Sequence, residues 1–136
     1  MPTEIISGLW IGDINDSFNK DFLKDNFISI MINCTTNYDF PDLNVKKIRL
    51  PLSNDLTPDK DLMLLIKNKD KILDFIFQNI ELKNIFVYCY DGKLISPLIV
   101  ALFLIYKGGI SKDNIRSILK SKNQNISLDV DLSHFG

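Results

Sequence analysis

Apolar positions along the chain follow two rhythms, short unbroken or alternating runs and longer stretches spaced at three and four residues, and the two take turns from one end to the other. Residues Ile5 to Ile11 (IISGLWI) form an apolar run broken at Gly8, which predicts a pair of short strands. From Asp13 to Phe27, Phe18, Phe22 and Leu23 recur at helical spacing and predict a helix. Phe27 to Cys34 (FISIMINC) is short, apolar and rich in isoleucine, as suits a strand buried on both faces. Asn44 to Leu52 alternates and predicts a further strand, followed by a polar loop containing Pro58.

Between Leu62 and Ile80, apolar residues at Leu65, Ile66, Ile72, Leu73, Ile76 and Phe77 predict a long amphipathic helix whose lysines and aspartates face water. Asn84 to Cys89 (NIFVYC) reads as another buried strand. The loop YDGKLIS then leads into a helix from about Ser96 to Lys107, closed by Gly108 and Gly109. A last helix from Ser111 to Lys120, with Ser111 as its N-cap, precedes a polar tail.

Helices alternating with buried strands predict one α/β domain over residues 1–136, with a central, mostly parallel sheet flanked by helices. In such sheets ligands bind beyond the carboxyl ends of the strands, where Cys89 is expected. Hydrophobic residues at 46% and charged residues at 24% agree with a chain that builds its own core. A formal net charge of −1 offers no overall field for DNA or an anionic membrane. The longest apolar run, Pro97 to Tyr106, is too short to span a bilayer. The two cysteines, Cys34 and Cys89, sit in apolar runs without the spacing of a disulfide framework or a zinc site, so no metal or other cofactor is expected. The N-terminus lacks a secretory pattern, which places the expected location in the cytoplasm. The abundance of Asn, Asp, Lys and Ile is the bias of an AT-rich genome such as that of some large DNA viruses or parasites; if the source is viral, the compartment is the host cytoplasm.

The junction VYCYDGKLISPL carries the chemistry. A cysteine leaves a strand end, and the backbone turns through Gly92 into a helix beginning near Ser96 and Pro97. Amides of such a turn and the positive end of the helix make an anion cradle, and the same field favours an anionic sulfur.

This junction resembles the H-C-x-x-G-x-x-R-S loop of the dual-specificity phosphatases. Cys89, Gly92 and Ser96 match, whereas Tyr88 stands at the histidine position and Ile95 at the arginine position. The opening IISGLWIGDINDSF, the strand FISIMINCTT and the segment RLPLSND are similar to further segments of that family, so the resemblance covers nearly the whole chain. It implies a phosphate-binding loop of Tyr90, Asp91, Gly92, Lys93, Leu94, Ile95 and Ser96, with Cys89 as nucleophile and Ser96 as its helper. Asp55 would be the general acid, or Asn54 would occupy that position if the register shifts by one.

Isoleucine offers neither charge nor donor where the family has a planar, doubly bonding guanidinium. Losing two such bonds at roughly 1.5–3 kcal/mol each costs on the order of 10²- to 10⁴-fold in rate. Asp91 adds a carboxylate to a loop meant for a dianion, and Lys93 is the one residue that supplies charge of the right sign. The expectation is therefore a pseudophosphatase that binds a phosphoprotein or a phosphatase-pathway protein. The alternative is a weak phosphatase for protein, RNA 5′-phosphate or phosphoinositide that relies on Lys93. A homodimer covering the cleft is a third possibility.

Plainer readings stand beside these. A cysteine at a buried strand end is commonly just a small hydrophobe, and Cys34 reads as core. Asp55 could be a solvated turn residue. His134, two residues from the end, reads as surface, and Trp10 with the early phenylalanines reads as core.

Overall fold

A computed structural model describes residues 2–136. Strands β1 (Thr3–Ile6) and β2 (Leu9–Gly12) form an antiparallel hairpin around Gly8, as the broken apolar run implied. Strands β3 (Ile28–Asn33), β4 (Lys46–Arg49) and β5 (Asn84–Tyr88) complete a five-stranded sheet in the order β1-β2-β5-β3-β4. The pairs β2–β5, β5–β3 and β3–β4 are all parallel, so the α/β fold with a mostly parallel sheet is as expected.

Side chains alternate across β5 and divide the core in two. Ile85, Val87 and Cys89 face the larger cluster, beneath helices α3 (Met63–Asn79), α4 (Ile95–Tyr106) and α5 (Lys112–Lys122). Phe86 and Tyr88 face a smaller, aromatic cluster with Phe22, Met31 and Phe40. That face is covered only by two short helices, α1 (Ile14–Ser17) and α2 (Lys20–Asp25), and by the segment leading to β4. Helix α4 is buried from Ile95 through Leu104, as its uniformly apolar sequence requires. Among the described residues no helix is long and apolar enough to cross a membrane.

Several local expectations are corrected. The single helix expected from Asp13 to Phe27 is two, because Asp13 and Asn19 each cap a new start, Asp13 through a capping box with Asp16. Phe18 lies between them, 53% exposed, outside the core. Phe27 does not begin β3; it ends α2 at φ 52° and points to solvent. Phe77, counted on the apolar face of α3, is 56% exposed beneath the Lys107 ammonium. Lys69 does not face water: its ammonium sits 3.8 Å from the centre of the Tyr106 ring and donates to the Phe135 carbonyl. Ser111 stands at the N-cap of α5, but its side chain makes no capping bond. Trp10 is half-buried, edge-on to Phe22 at 5.1 Å, and His134 is exposed as read.

Candidate functional site

Strand β5 ends between β2 and β3 and delivers Cys89 to the carboxyl edge of the sheet. The backbone then turns through Gly92 at φ +70° and enters α4 at Ile95. The amides of Gly92 and Ser96 both donate to Cys89 Sγ at 3.3 Å. The thiol lies 3.3 Å from Ser96 Oγ, which in turn donates to the Gly12 carbonyl. Cys89 and Ser96 are fully buried. Two amides, one from the turn and one from the start of a long helix, thus converge on the sulfur; amides so placed favour negative charge.

The neighbour that makes this possible is Gly12, which the sequence reading passed over. A Cβ there would lie 2.6 Å from Asp16 Oδ2 and 2.8 Å from the Phe86 ring. A Cβ on Gly92 would meet the Gly12 carbonyl group at 3.1–3.2 Å, and its positive φ strains any L side chain. The two glycines let the loop rest directly on the end of β2.

The side chains of the loop depart from this framework. Ile95 is fully buried and belongs to the hydrophobic core, so the arginine position carries an apolar side chain packed in the interior. The chain has two arginines, and both commit their forks to backbone carbonyls. Arg49 donates to Thr35 O and Tyr38 O, each at 2.8 Å, and lies over the Phe40 ring. Arg116 donates to Leu128 O and Val130 O. Asp91 caps the Lys93 amide at 3.0 Å and accepts a bond from Asn54 Nδ2 at 3.2 Å, tying the loop to the segment opposite.

A cleft flanked by the residue that follows Cys89 is lined by Cys34, Tyr38, Ser53, Asn54 and Tyr90, while Cys89 itself is buried beneath the surface and does not line it. Tyr38 and Tyr90, both exposed, place their ring centres 5.6 Å apart as an aromatic wall. Lys93 lines a different depression, together with Asp13, Asp16 and Asp91, while its carbonyl accepts from the Ser127 amide. Of the two general-acid candidates, Asn54 reaches the cleft and Asp55 is exposed without lining it.

The segment carrying Asn54 is organised by Asp61, a residue missed from sequence. Asp61 is 1% exposed and accepts from the amides of Ser53 and Thr57 at 3.0 and 2.8 Å and from both of their hydroxyls. Burial pushes its carboxyl up, but the Ser53 and Thr57 bonds outweigh burial and hold the pKa at about 2. Thr57 followed by Pro58 is a helix-start signal that could have located this point, a π-helical turn (Pro58–Leu62) running into α3.

Cys34 lies in core surroundings next to the end of β5, its amide donating to Tyr88 O at 2.8 Å. Burial, and then the neighbouring Cys89, push its thiol well above the usual range. Tyr88 points to the opposite side of the sheet, stacked on Phe86 at 5.3 Å. Its hydroxyl is buried without a hydrogen-bond partner among the described residues, and burial raises its pKa.

A cysteine cradled by amides between a parallel strand and a buried helix defines a phosphatase-like α/β domain. No family model matches the chain. Dual specificity protein phosphatase 8 of mouse is 28% identical over 128 residues, which cover 92% of this chain and 19% of that protein. The chain thus spans about a fifth of the length of the curated relatives it matches. Among solved structures, human DUSP28 superposes with a TM-score of 0.83 at 15% identity, covering 94% of this chain and 84% of that one. The human tyrosine phosphatase-like serine/threonine/tyrosine-interacting protein superposes with a TM-score of 0.80 at 15% identity, covering 98% and 90%. In sequence and in fold the chain is similar to dual-specificity phosphatases, in line with the loop resemblance.

Proposed function

We propose that this domain is a pseudophosphatase, a phosphatase-like module that holds a phosphorylated protein segment at the Cys89 loop without hydrolysing it. The observation that carries the reading is the absence of a guanidinium at the loop: Ile95 is core, and Arg49 and Arg116 both bond backbone carbonyls. The asparagine at the cleft adds to it, since an amide cannot protonate a leaving oxygen. The amides around Cys89 still supply directional donors for a phosphoryl group, and Tyr38 with Tyr90 offers a wall for an aromatic side chain beside it. Binding by backbone survives the loss of side chains that catalysis needs.

The test is hydrolysis of p-nitrophenyl phosphate beside binding of a phosphotyrosine peptide. The expected result is peptide binding with no turnover above that of Cys89→Ser. Turnover that Cys89→Ser abolishes overturns the reading. The double change Ile95→Arg with Asn54→Asp is expected to introduce Cys89-dependent turnover.

A weak phosphatase is the second reading, favoured by the intact cysteine cradle and by Lys93, which among the described residues has no ion-pair partner. It requires Lys93 to swing from the depression it shares with Asp13 and Asp16 into the cleft. Activity that depends on both Cys89 and Lys93 would establish it.

A further inference from the structure

On the edge of the sheet farthest from the hairpin, β4 is hydrogen-bonded to β3 on one side only. A groove runs between this edge and α3. Its floor is apolar, made of Ile48, Ile72 and Phe75, and its rim is basic, made of Lys46, Lys47 and Lys71. An adjoining depression along α3 repeats the pattern, with Leu64 and Ile66 between Lys60 and Lys67. All five lysines are exposed, and among the described residues none has a carboxylate within ion-pair distance.

The carboxylates of α3 are engaged elsewhere, Asp70 with Lys69 and Asp74 with Lys107. A chain whose net charge is −1 therefore concentrates unneutralised positive charge around one apolar groove. Lysines on an edge strand also discourage edge-to-edge aggregation, and that role accounts for Lys46 and Lys47. It does not account for Lys71, which borders the same apolar floor from α3, or for Lys67 and Lys60, which border the second depression.

We propose that the groove between β4 and α3 is a docking site for an acidic segment of a partner protein. The segment would lie along β4, its backbone pairing with the open edge, one apolar side chain between Ile48, Ile72 and Phe75, and its carboxylates against the lysine rim. Charge complementarity favours an acidic chain. A concave apolar floor beside a free strand edge favours a peptide, whose backbone can pair with that edge, over nucleic acid, which cannot. It also favours a peptide over a lipid surface, which would need a protruding apolar face.

The probe is a fluorescein-labelled peptide, Glu-Asp-Ile-Val-Leu-Asp-Glu, titrated into the full chain by anisotropy, with amide shifts mapped by NMR. The expected result is saturable binding that weakens with salt, with shifts confined to residues 46–48 and 71–75. Lys46→Glu with Lys71→Glu is expected to weaken binding about ten-fold or more, and Lys46→Arg with Lys71→Arg to preserve it. All four substitutions are at exposed positions, and unchanged circular dichroism confirms the fold. Neither pair touches the Cys89 loop, so phosphopeptide binding at the cleft stays at its wild-type level and the two readings fail independently. No binding by the acidic peptide, or equal binding of its Lys-for-Glu/Asp counterpart, overturns the proposal. So does tighter engagement of the same residues by a single-stranded RNA or by phosphatidylserine vesicles.

Discussion

Residues 89–96 and residues 53–61 face each other across the cleft, and they keep their shapes by different means. The first is a backbone device: amides of Gly92 and Ser96 converge on one sulfur, and Gly92, at positive φ, sits against Gly12 where a Cβ would be tight and strained. The second depends on a side chain, because Asp61 alone gathers the amides and hydroxyls of Ser53 and Thr57. Where backbone sets the geometry, side chains can change chemical character without loss of shape, and Ile95, Asp91 and Lys93 occupy the loop on those terms. Where one carboxylate sets it, that residue cannot change, while Asn54 and Asp55 beside it can.

The contrast is open to attack at several points. Ile95→Ala removes a fully buried side chain from the core and is expected to lower the unfolding free energy by about 2–4 kcal/mol in denaturant titration. A loss below about 1 kcal/mol would mean that Ile95 is not the core residue described. Asp61→Ala is expected to cost about 1–3 kcal/mol, because it removes the shared acceptor of the Ser53 and Thr57 amides and hydroxyls.

The same carboxylate sets an acid limb. With a folded pKa of about 2 against an ordinary 3.8, Asp61 contributes stability that is complete above the ordinary value and is lost as pH falls from there through 2. Melting temperature measured across that window should fall less steeply in Asp61→Asn than in the wild type.

Gly92→Ala should cost about 1–3 kcal/mol through its positive φ and its contact with Gly12, and should weaken phosphopeptide binding because the Gly92 amide is displaced. Retained binding would show that the cradle does not depend on that amide. The smallest effect belongs to Tyr88→Phe. Removing a buried, unpartnered hydroxyl should leave stability unchanged or raise it by up to about 1 kcal/mol, and a clear loss would reveal a partner such as an ordered water.

The sequence by itself determined the strands, the long helices and the cysteine junction, because buried strands and helices carry their periods in apolar spacing and the cradle carries its signature in Cys89, Gly92 and Ser96. It also determined the missing arginine, since residue identity at a fixed spacing is legible without coordinates. Short polar elements were less legible: Asp13 and Asn19 divide the early helix by capping, a choice of a few hydrogen bonds that apolar spacing does not record.

Only the tertiary structure decided what the departures mean. It placed Ile95 in the core, committed both arginines to carbonyls, brought Asn54 rather than Asp55 to the cleft, and set Lys93 beside Asp13 and Asp16. Each of these depends on contacts between segments distant in the chain, from Gly12 against Gly92 to Asn54 against Asp91. Local pattern cannot register a contact whose two halves lie tens of residues apart, and this site is assembled from such contacts.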